Sequence, residues 1–311
     1  MKAMRFTDAS SAILLIAAEL PRPVPAAGEI LIRVVAAGIT PAELGWYPTS
    51  HTKDGRERKG AVPGHEFSGV VEAVGEGVVE PEIGDEVFGL NDWFSEGALA
   101  EYCLSVPGAV ALKPAVLSHV EAATVPIGAL TAWQGLFDRA KLKAGERVLV
   151  HGAAGGVGVF AVQLAKLRGA HVVATASQRN LDFVKDLGAE EVIDYRAARF
   201  EEHAKEVDVV FDAVGGDTLR RSWQVLSAKG RLVTIASGEE PAEERTKQAF
   251  FIVEPNQKQL GETGRMLEQH RLRTFVDAVV PLADAAMTFM GAVRHGQGRG
   301  KLVVAVAGDG K

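Results

Sequence analysis

The stretch Arg147–Ala176 (RVLVHGAAGGVGVFAVQLAKLRGAHVVATA) restricts the fold more tightly than any other part of the chain. An apolar run enters a turn containing Gly152, Gly155, Gly156 and Gly158. Val159, Val162, Leu164, Ala165 and Leu167 then recur with helical spacing, and a second β-branched run follows. Strand, glycine turn, helix and strand form the setting that a dinucleotide fingerprint requires. A pyrophosphate needs backbone N–H groups and the positive end of a helix. A side chain at Gly155 would hold the chain away from it, and Gly158 lets helix and strand approach. The first fingerprint glycine is replaced by Ala153, giving AxGxxG. The expected contacts are Ala153, Gly155, Gly156, Val157 and Gly158. The alternative, a tight turn in a sheet protein that binds nothing, stays open at this point.

The end of the second strand bears on which dinucleotide fits. Enzymes that use NADH place a carboxylate there for the ribose hydroxyls. Here the residues are Thr175, Ala176, Ser177, Gln178 and Arg179, with no acid among them. Ser177 can donate to a 2'-phosphate and Arg179 can neutralise it. The expected cofactor is therefore NADPH, against the alternative that Arg179 only decorates a solvated helix start.

On either side of this stretch the chain changes texture. Before it come short β-branched runs punctuated by glycine and proline: two N-terminal strands, Ile30–Ala36 ended by Ala37, Gly38 and Pro41, then runs within 62–79, 81–89 and 98–106. That pattern predicts an irregular β-rich domain. From Ser118, with Glu121 three residues on as a capping box, helical and strand segments alternate. This alternation predicts βαβ units on a parallel sheet. Strands at 275–280 and 301–306, with a helix over 284–293, either complete that sheet or return to the first domain.

The 311 residues suffice for two domains. Their net charge of −6 argues against broad nucleic-acid binding but leaves room for a local phosphate site. The single cysteine, Cys103, excludes an internal disulfide and any multi-cysteine metal site, and reads as a buried strand thiol. No apolar run is long enough to span a bilayer, and no signal peptide is recognised at the N-terminus. A cytoplasmic protein with no membrane partner is expected.

Several stretches together resemble the zinc-independent quinone oxidoreductases, the zeta-crystallin-like group of the medium-chain dehydrogenase/reductase superfamily. They are VPGHEFSGVVEAVGEGV, GDEVFG, GALTAWQGLF, AGERVLVHGAAGGVG, LGAEEVIDY, DVVFDAVGG and GRGKLVV, spread over nearly the whole length. The resemblance implies an α/β protein of two domains. A GroES-like β-rich catalytic domain would comprise 1–122 and 259–311, and a Rossmann doubly wound domain 123–258. It implies a homodimer or homotetramer. It places Tyr195, with Ser177 and Arg179, near the 2'-phosphate, and Thr131 beside the nicotinamide ribose. It puts Phe251 and Val253, in FFIVEPN, against the nicotinamide carboxamide. For Tyr195 the competing reading is a core or rim aromatic, and for Thr131 a helix hydroxyl bonded to backbone.

The same resemblance raises the question of zinc. In zinc alcohol dehydrogenases the GHE motif, here Gly64, His65 and Glu66, carries a metal-ligand histidine. A catalytic zinc needs three protein ligands. The first cysteine position is Thr40 here, the later one falls near Ile127, and the four-cysteine lobe is missing, so no metal is expected. Without a Lewis acid, hydride transfer to an electron-poor acceptor remains feasible. The implied function is NADPH-dependent reduction of a quinone or an α,β-unsaturated carbonyl. Thr40, Trp46 and Phe94 are the expected acceptor pocket, the two aromatics supplying flat apolar surface; each of these rings could instead be packing. Relatives often carry Asn at the position of Thr40. No residue stands out as the proton donor, with Tyr47 and water both open. The alternative function is noncatalytic NADPH binding, as a crystallin-like or RNA-binding protein.

Overall fold

The computed structural model describes residues 1–9, 12–236, 244–289 and 297–307. They fall into two compact units: Met1–Ile127 with Pro255–Gln297 and Lys301–Lys311, and Gly128–Glu254 with Gly298–Gly300. Residues 123–127 and 255–258 thus group with the first unit, and 298–300 with the second.

The first unit begins with an antiparallel hairpin, β1 (Lys2–Ala9) and β2 (Ala12–Glu19). Then come β3 (Ile30–Ile39), β4 (Glu66–Val74), β5 (Glu86–Leu90), β6 (Tyr102–Ser105) and β7 (Val110–Leu112). β3 runs on through Ala37 and Gly38, where the sequence pattern had suggested a break. A Cβ on Gly38 would lie 2.3 Å from the Ala123 carbonyl and 2.7 Å from the Glu66 side chain. The glycine there marks a close approach inside a strand rather than its end. Thr40 and Pro41 end the strand, and Pro41–Gly45 forms a 3₁₀ turn.

The second unit holds β8 (Arg147–His151), β9 (His171–Ala176), β10 (Glu191–Asp194), β11 (Val207–Asp212) and β12 (Leu226–Thr234). They make one parallel sheet in the order β10-β9-β8-β11-β12. Strand order reverses between β8 and β11, the point at which such sheets open a crevice at their carboxyl ends. The Gly158–Leu167 helix is buried along most of its length, which its apolar periodicity predicts. Leu149, Val173, Val207, Val210 and Leu219 belong to the core on the sheet.

The final strands, β13 (Val276–Pro281) and β14 (Lys301–Ala305), return to the first unit. They extend its sheet to β13-β14-β3-β4-β5-β7, with β6 also pairing β3. The helix expected over 284–293 is a turn at Leu282–Asp284 and a short helix at Ala286–Phe289; 290–293 lie outside the described residues. Ile30, Ile32, Val34, Phe67, Leu99 and Val304 are fully buried in this unit's core. Cys103 is buried on β6, and burial pushes its thiol up, so it is a core side chain.

Candidate active site

In the second unit, the carboxyl ends of the strands gather most of the expected cofactor residues. β8 ends at His151 and enters Gly152, whose φ of +73° favours glycine. A Cβ on Gly158 would lie 2.1 Å from the Gly152 carbonyl and 2.7 Å from Ala153 Cα, so helix and turn touch there. A Cβ on Gly155 would meet only the Gly152 carbonyl, at 3.4 Å. Gly155 therefore faces open space, a cradle that a side chain would fill. Val157 stands at the N-cap of the helix, and the Val159 N–H donates to the Gly155 carbonyl at 3.0 Å, which ties the first turn to the glycine loop. This concave glycine surface at a helix start fits a pyrophosphate.

His151 is 1% exposed and bridges three elements. Its Nδ1 lies 3.0 Å from Thr175 Oγ1, on β9, and its Nε2 3.0 Å from Ser222 Oγ, on the Gly216–Ser222 helix. Burial lowers its pKa to about 3, so the ring is neutral. Asp212, at the end of β11, accepts from the backbone of Val214 and Gly215 and from Thr234 Oγ1. These two side chains fix the loops at the switch point. Neither was marked by the sequence, since their partners are remote or lie in loops.

Ser177 is half-buried and Arg179 exposed on the turn after β9. The Tyr195 N–H donates to the Ala176 carbonyl at 3.2 Å, which brings Tyr195, 53% exposed, beside that turn. Arg196 lies 5.6 Å from the Tyr195 ring centroid. Arg299 donates to Asn180 Oδ1 at 2.9 Å and to the Arg179 carbonyl at 3.1 Å. The Gly300 N–H donates to the Ala154 carbonyl at 2.8 Å, on the glycine turn. Arg299 escaped sequence reading because it lies 120 residues from Arg179.

Thr131 is buried on the Pro126–Trp133 helix. Phe251 and Val253 are buried as well, and Ile252 between them is 61% exposed. The Phe251 ring is seated against Gly135, where a Cβ would come within 2.9 Å of it. Gln134 clamps the same segment, donating to the Glu254 carbonyl at 2.8 Å and accepting from its N–H at 3.0 Å. Phe251 and Val253 are thus core side chains, the Phe251 N–H donates to the Thr234 carbonyl at 3.1 Å, and Ile252 is the exposed residue of the segment.

In the first unit, three strands converge on Thr40. Register pairs Gly38 with Glu66 and Ile39 with Leu302, which sets Lys301 beside Thr40 and Glu66. Lys301 Nζ donates to Glu66 Oε1 and, at 3.4 Å, to Thr40 Oγ1. Glu66 Oε2 accepts from the Ile127 N–H at 2.9 Å. Thr40 is half-buried, while the Lys301 and Glu66 side chains are 6% and 0% exposed. Burial pushes the Glu66 carboxyl up and the Lys301 ammonium pulls it back. Glu43, from the 3₁₀ turn, is buried next to this pair. Its Oε1 accepts from the Gly64 N–H at 2.9 Å, and its Oε2 has no hydrogen-bond partner among the described residues. Burial, with Glu66 nearby, raises its pKa to about 8, so it stays protonated at neutral pH.

His65 is held locally. Its Nδ1 is 3.2 Å from Asn91 Oδ1, and the Asn91 amide nitrogen donates to the Glu96 carbonyl. Burial lowers its pKa to about 4. The Trp46 ring lies 6.5 Å from it at 19°, and Trp93 meets His65 and Trp46 edge-on at 5.2 and 5.5 Å. The sequence marks Trp46 but not Trp93, which completes this aromatic group. Phe94, the residue singled out instead, is half-buried next in the chain. The expected Thr40 and Trp46 lie at the two ends of the 3₁₀ turn, flanking it as N-cap and C-cap.

Comparison with known proteins agrees with this architecture. Residues 26–130 match the alcohol dehydrogenase GroES-like domain, and 187–304 match a family described as zinc-binding dehydrogenase. The chain is 33% identical to a probable zinc-binding oxidoreductase, mitochondrial, of Arthroderma benhamiae, over 92% of each chain. It is 32% identical to 2-methylene-furan-3-one reductase of Solanum lycopersicum, over 98% of this chain and 79% of the other. Its fold superposes on the quinone oxidoreductase of Coxiella burnetii with a TM-score of 0.86 at 31% identity, covering 99% of both chains. The β-rich GroES-like unit and the doubly wound unit expected from the sequence are both borne out. The chain is an oxidoreductase of the medium-chain dehydrogenase/reductase superfamily and belongs to its quinone oxidoreductase family.

Proposed function

We propose that this protein reduces quinones or α,β-unsaturated carbonyls with NADPH and without zinc. The observation that carries the cofactor choice is the cluster of Ser177, Arg179 and Tyr195 at the ends of β9 and β10, with no carboxylate closing β9. A 2'-phosphate would find a hydroxyl donor and a guanidinium there. Gly156, Val157 and Gly158 would offer backbone N–H groups to the pyrophosphate, and Ala153 and Gly155, whose N–H groups donate to the Thr175 and Gly152 carbonyls, would shape the turn around it. Thr131 and the main chain at Phe251 and Val253 would orient the nicotinamide, which supplies a hydride when bound.

Zinc independence is supported by the first unit. Thr40 stands at the position of one zinc ligand and a second falls near Ile127, and the Lys301 ammonium donates to Thr40 and Glu66. A fixed ammonium repels a dication, and a threonine hydroxyl is a weak neutral ligand. Thr40, Trp46 and Phe94 form the proposed acceptor pocket. Relatives named for a quinone and for an enone-type furanone favour an electron-poor acceptor. A small-molecule acceptor, a homodimer or homotetramer, and a cytoplasmic location complete the proposal; no helix among the described residues is long and apolar enough to cross a membrane.

The test is a matched NADPH and NADH oxidation assay over quinones, enones and aldehydes, with metal content measured on the same sample. Turnover of a quinone or enone with NADPH preferred, in metal-free protein, is expected. Tight NADPH binding with no turnover of any acceptor would point to the noncatalytic role instead.

A further inference from the structure

We infer that Lys301, acting through the Thr40 hydroxyl, supplies the proton that accompanies hydride transfer. The inference rests on the reductase function proposed above. A reduced enone or quinone develops negative charge on oxygen, and neither pocket aromatic can give up a proton to it. Lys301 can, by a short chain of donors. Its ammonium is buried to 6% exposure and held by Glu66. One N–H reaches Thr40 Oγ1 at 3.4 Å, and Thr40 itself is half-buried. A hydroxyl that accepts from an ammonium has its own hydrogen free to turn toward a ligand. The pair thus conveys a buried positive charge to the rim of the proposed acceptor pocket.

Glu66 is occupied on both oxygens, by Lys301 and by the Ile127 N–H, and so holds the ammonium in place. Glu43 adds no second negative charge beside it, being protonated at neutral pH.

The step balances as follows. Hydride from NADPH, which is thereby oxidised to NADP⁺, forms a C–H bond at the β-carbon of an enone, and the C=C pair moves so that the carbonyl pair ends on oxygen as an enolate. Thr40 Oγ–H passes its proton to that oxygen while accepting one from Lys301 Nζ. The enol becomes the saturated ketone in water. Lys301, left as the neutral amine, takes a proton from water before the next turnover. With a quinone, the same proton goes to the hydroquinone oxygen.

The test compares wild type with T40S, T40V and the double variant K301M/E66Q, which leaves no buried charge unpaired. In steady-state enone reduction, T40V should lose on the order of 10²-fold in kcat, with KM and NADPH affinity unchanged, and T40S should stay near wild type. A second readout needs no turnover. 4-Nitrophenol mimics the enolate, and its phenolate absorbs in the visible. Bound to the NADP⁺-loaded protein, its apparent pKa should be lowered in wild type and T40S but not in T40V or the double variant. Wild-type kcat in T40V, or an equal probe pKa in all four proteins, overturns the proton route. If wild type reduces no acceptor yet shifts the probe, the reductase function fails while the donor chain stands. Should the double variant not fold, T40V and T40S carry the test alone.

Discussion

Glu43 and His151 show how burial of a single side chain makes stability depend on pH, with opposite signs. The Glu43 carboxyl has a folded pKa of about 8 against an ordinary 4.5. Below about 4.5 both folded and unfolded states hold the proton, and its contribution is intact. As pH rises toward 8 the unfolded state ionises first, so stability falls by about 1.4 kcal/mol per pH unit. E43Q keeps the acceptor for Gly64 and cannot ionise. It should lose less stability than wild type between pH 5 and 8 in urea titrations, and parallel curves would refute this origin. His151 works with the opposite sign, its pKa lowered from 6.5 to about 3. Its contribution is present above 6.5 and lost as pH falls, again by about 1.4 kcal/mol per unit. H151Q should therefore show a shallower acid limb than wild type over pH 6 to 4, and His65 together with ion-paired carboxylates such as Glu146 and Glu191 contributes to the slope that remains. Of these residues only His65 stood out in the sequence, through its GHE motif. His151 meets Ser222 across 71 residues, and no local pattern reports such a partner.

At the scale of elements, legibility followed range. β9 is where its β-branched run put it, at His171–Ala176, and the Ser118–Glu121 capping box forms as the spacing requires. Both are local signals, strand periodicity and a three-residue reciprocal bond. β3 was read too short because Gly38 looks like a breaker until the backbone of Ala123 is seen against it. β7, three residues long, is too short to show alternation. The glycine turn separates two roles that its motif merges. Gly158 is a packing glycine, with backbone 2.1 Å from a would-be Cβ, whereas Gly155 has only one atom near, at 3.4 Å. G158A should therefore lower stability by about 1–3 kcal/mol and weaken cofactor binding together. G155A should melt like wild type and lose NADPH affinity alone. Calorimetry beside a fluorescence titration of NADPH distinguishes them, and equal melting of the two variants would sink the division.

Across the whole molecule, chain order and spatial grouping part company, and that is where sequence reading had least purchase. Spacing left open whether the last strands belonged with the first or the second domain; β14 lies between β13 and β3, deep in the first unit's sheet. Immediately before it, Gly298–Gly300 belongs to the second unit and is tied to the glycine turn and to Arg179. Two substitutions five residues apart should thus behave as if in different proteins. R299A removes the bonds that hold the Arg179–Asn180 turn. It should weaken NADPH binding about 3–10-fold, affect NADH less, and leave the melting temperature near wild type. V304D puts a carboxylate at a 0% exposed position paired with Ala37. It should cost more than about 4 kcal/mol by breaking the first unit's core. Differential scanning calorimetry and parallel NADPH and NADH titrations read both effects. If R299A melts as early as V304D, the Arg299 bonds are structural first, and their place beside Arg179 does not tune the cofactor site.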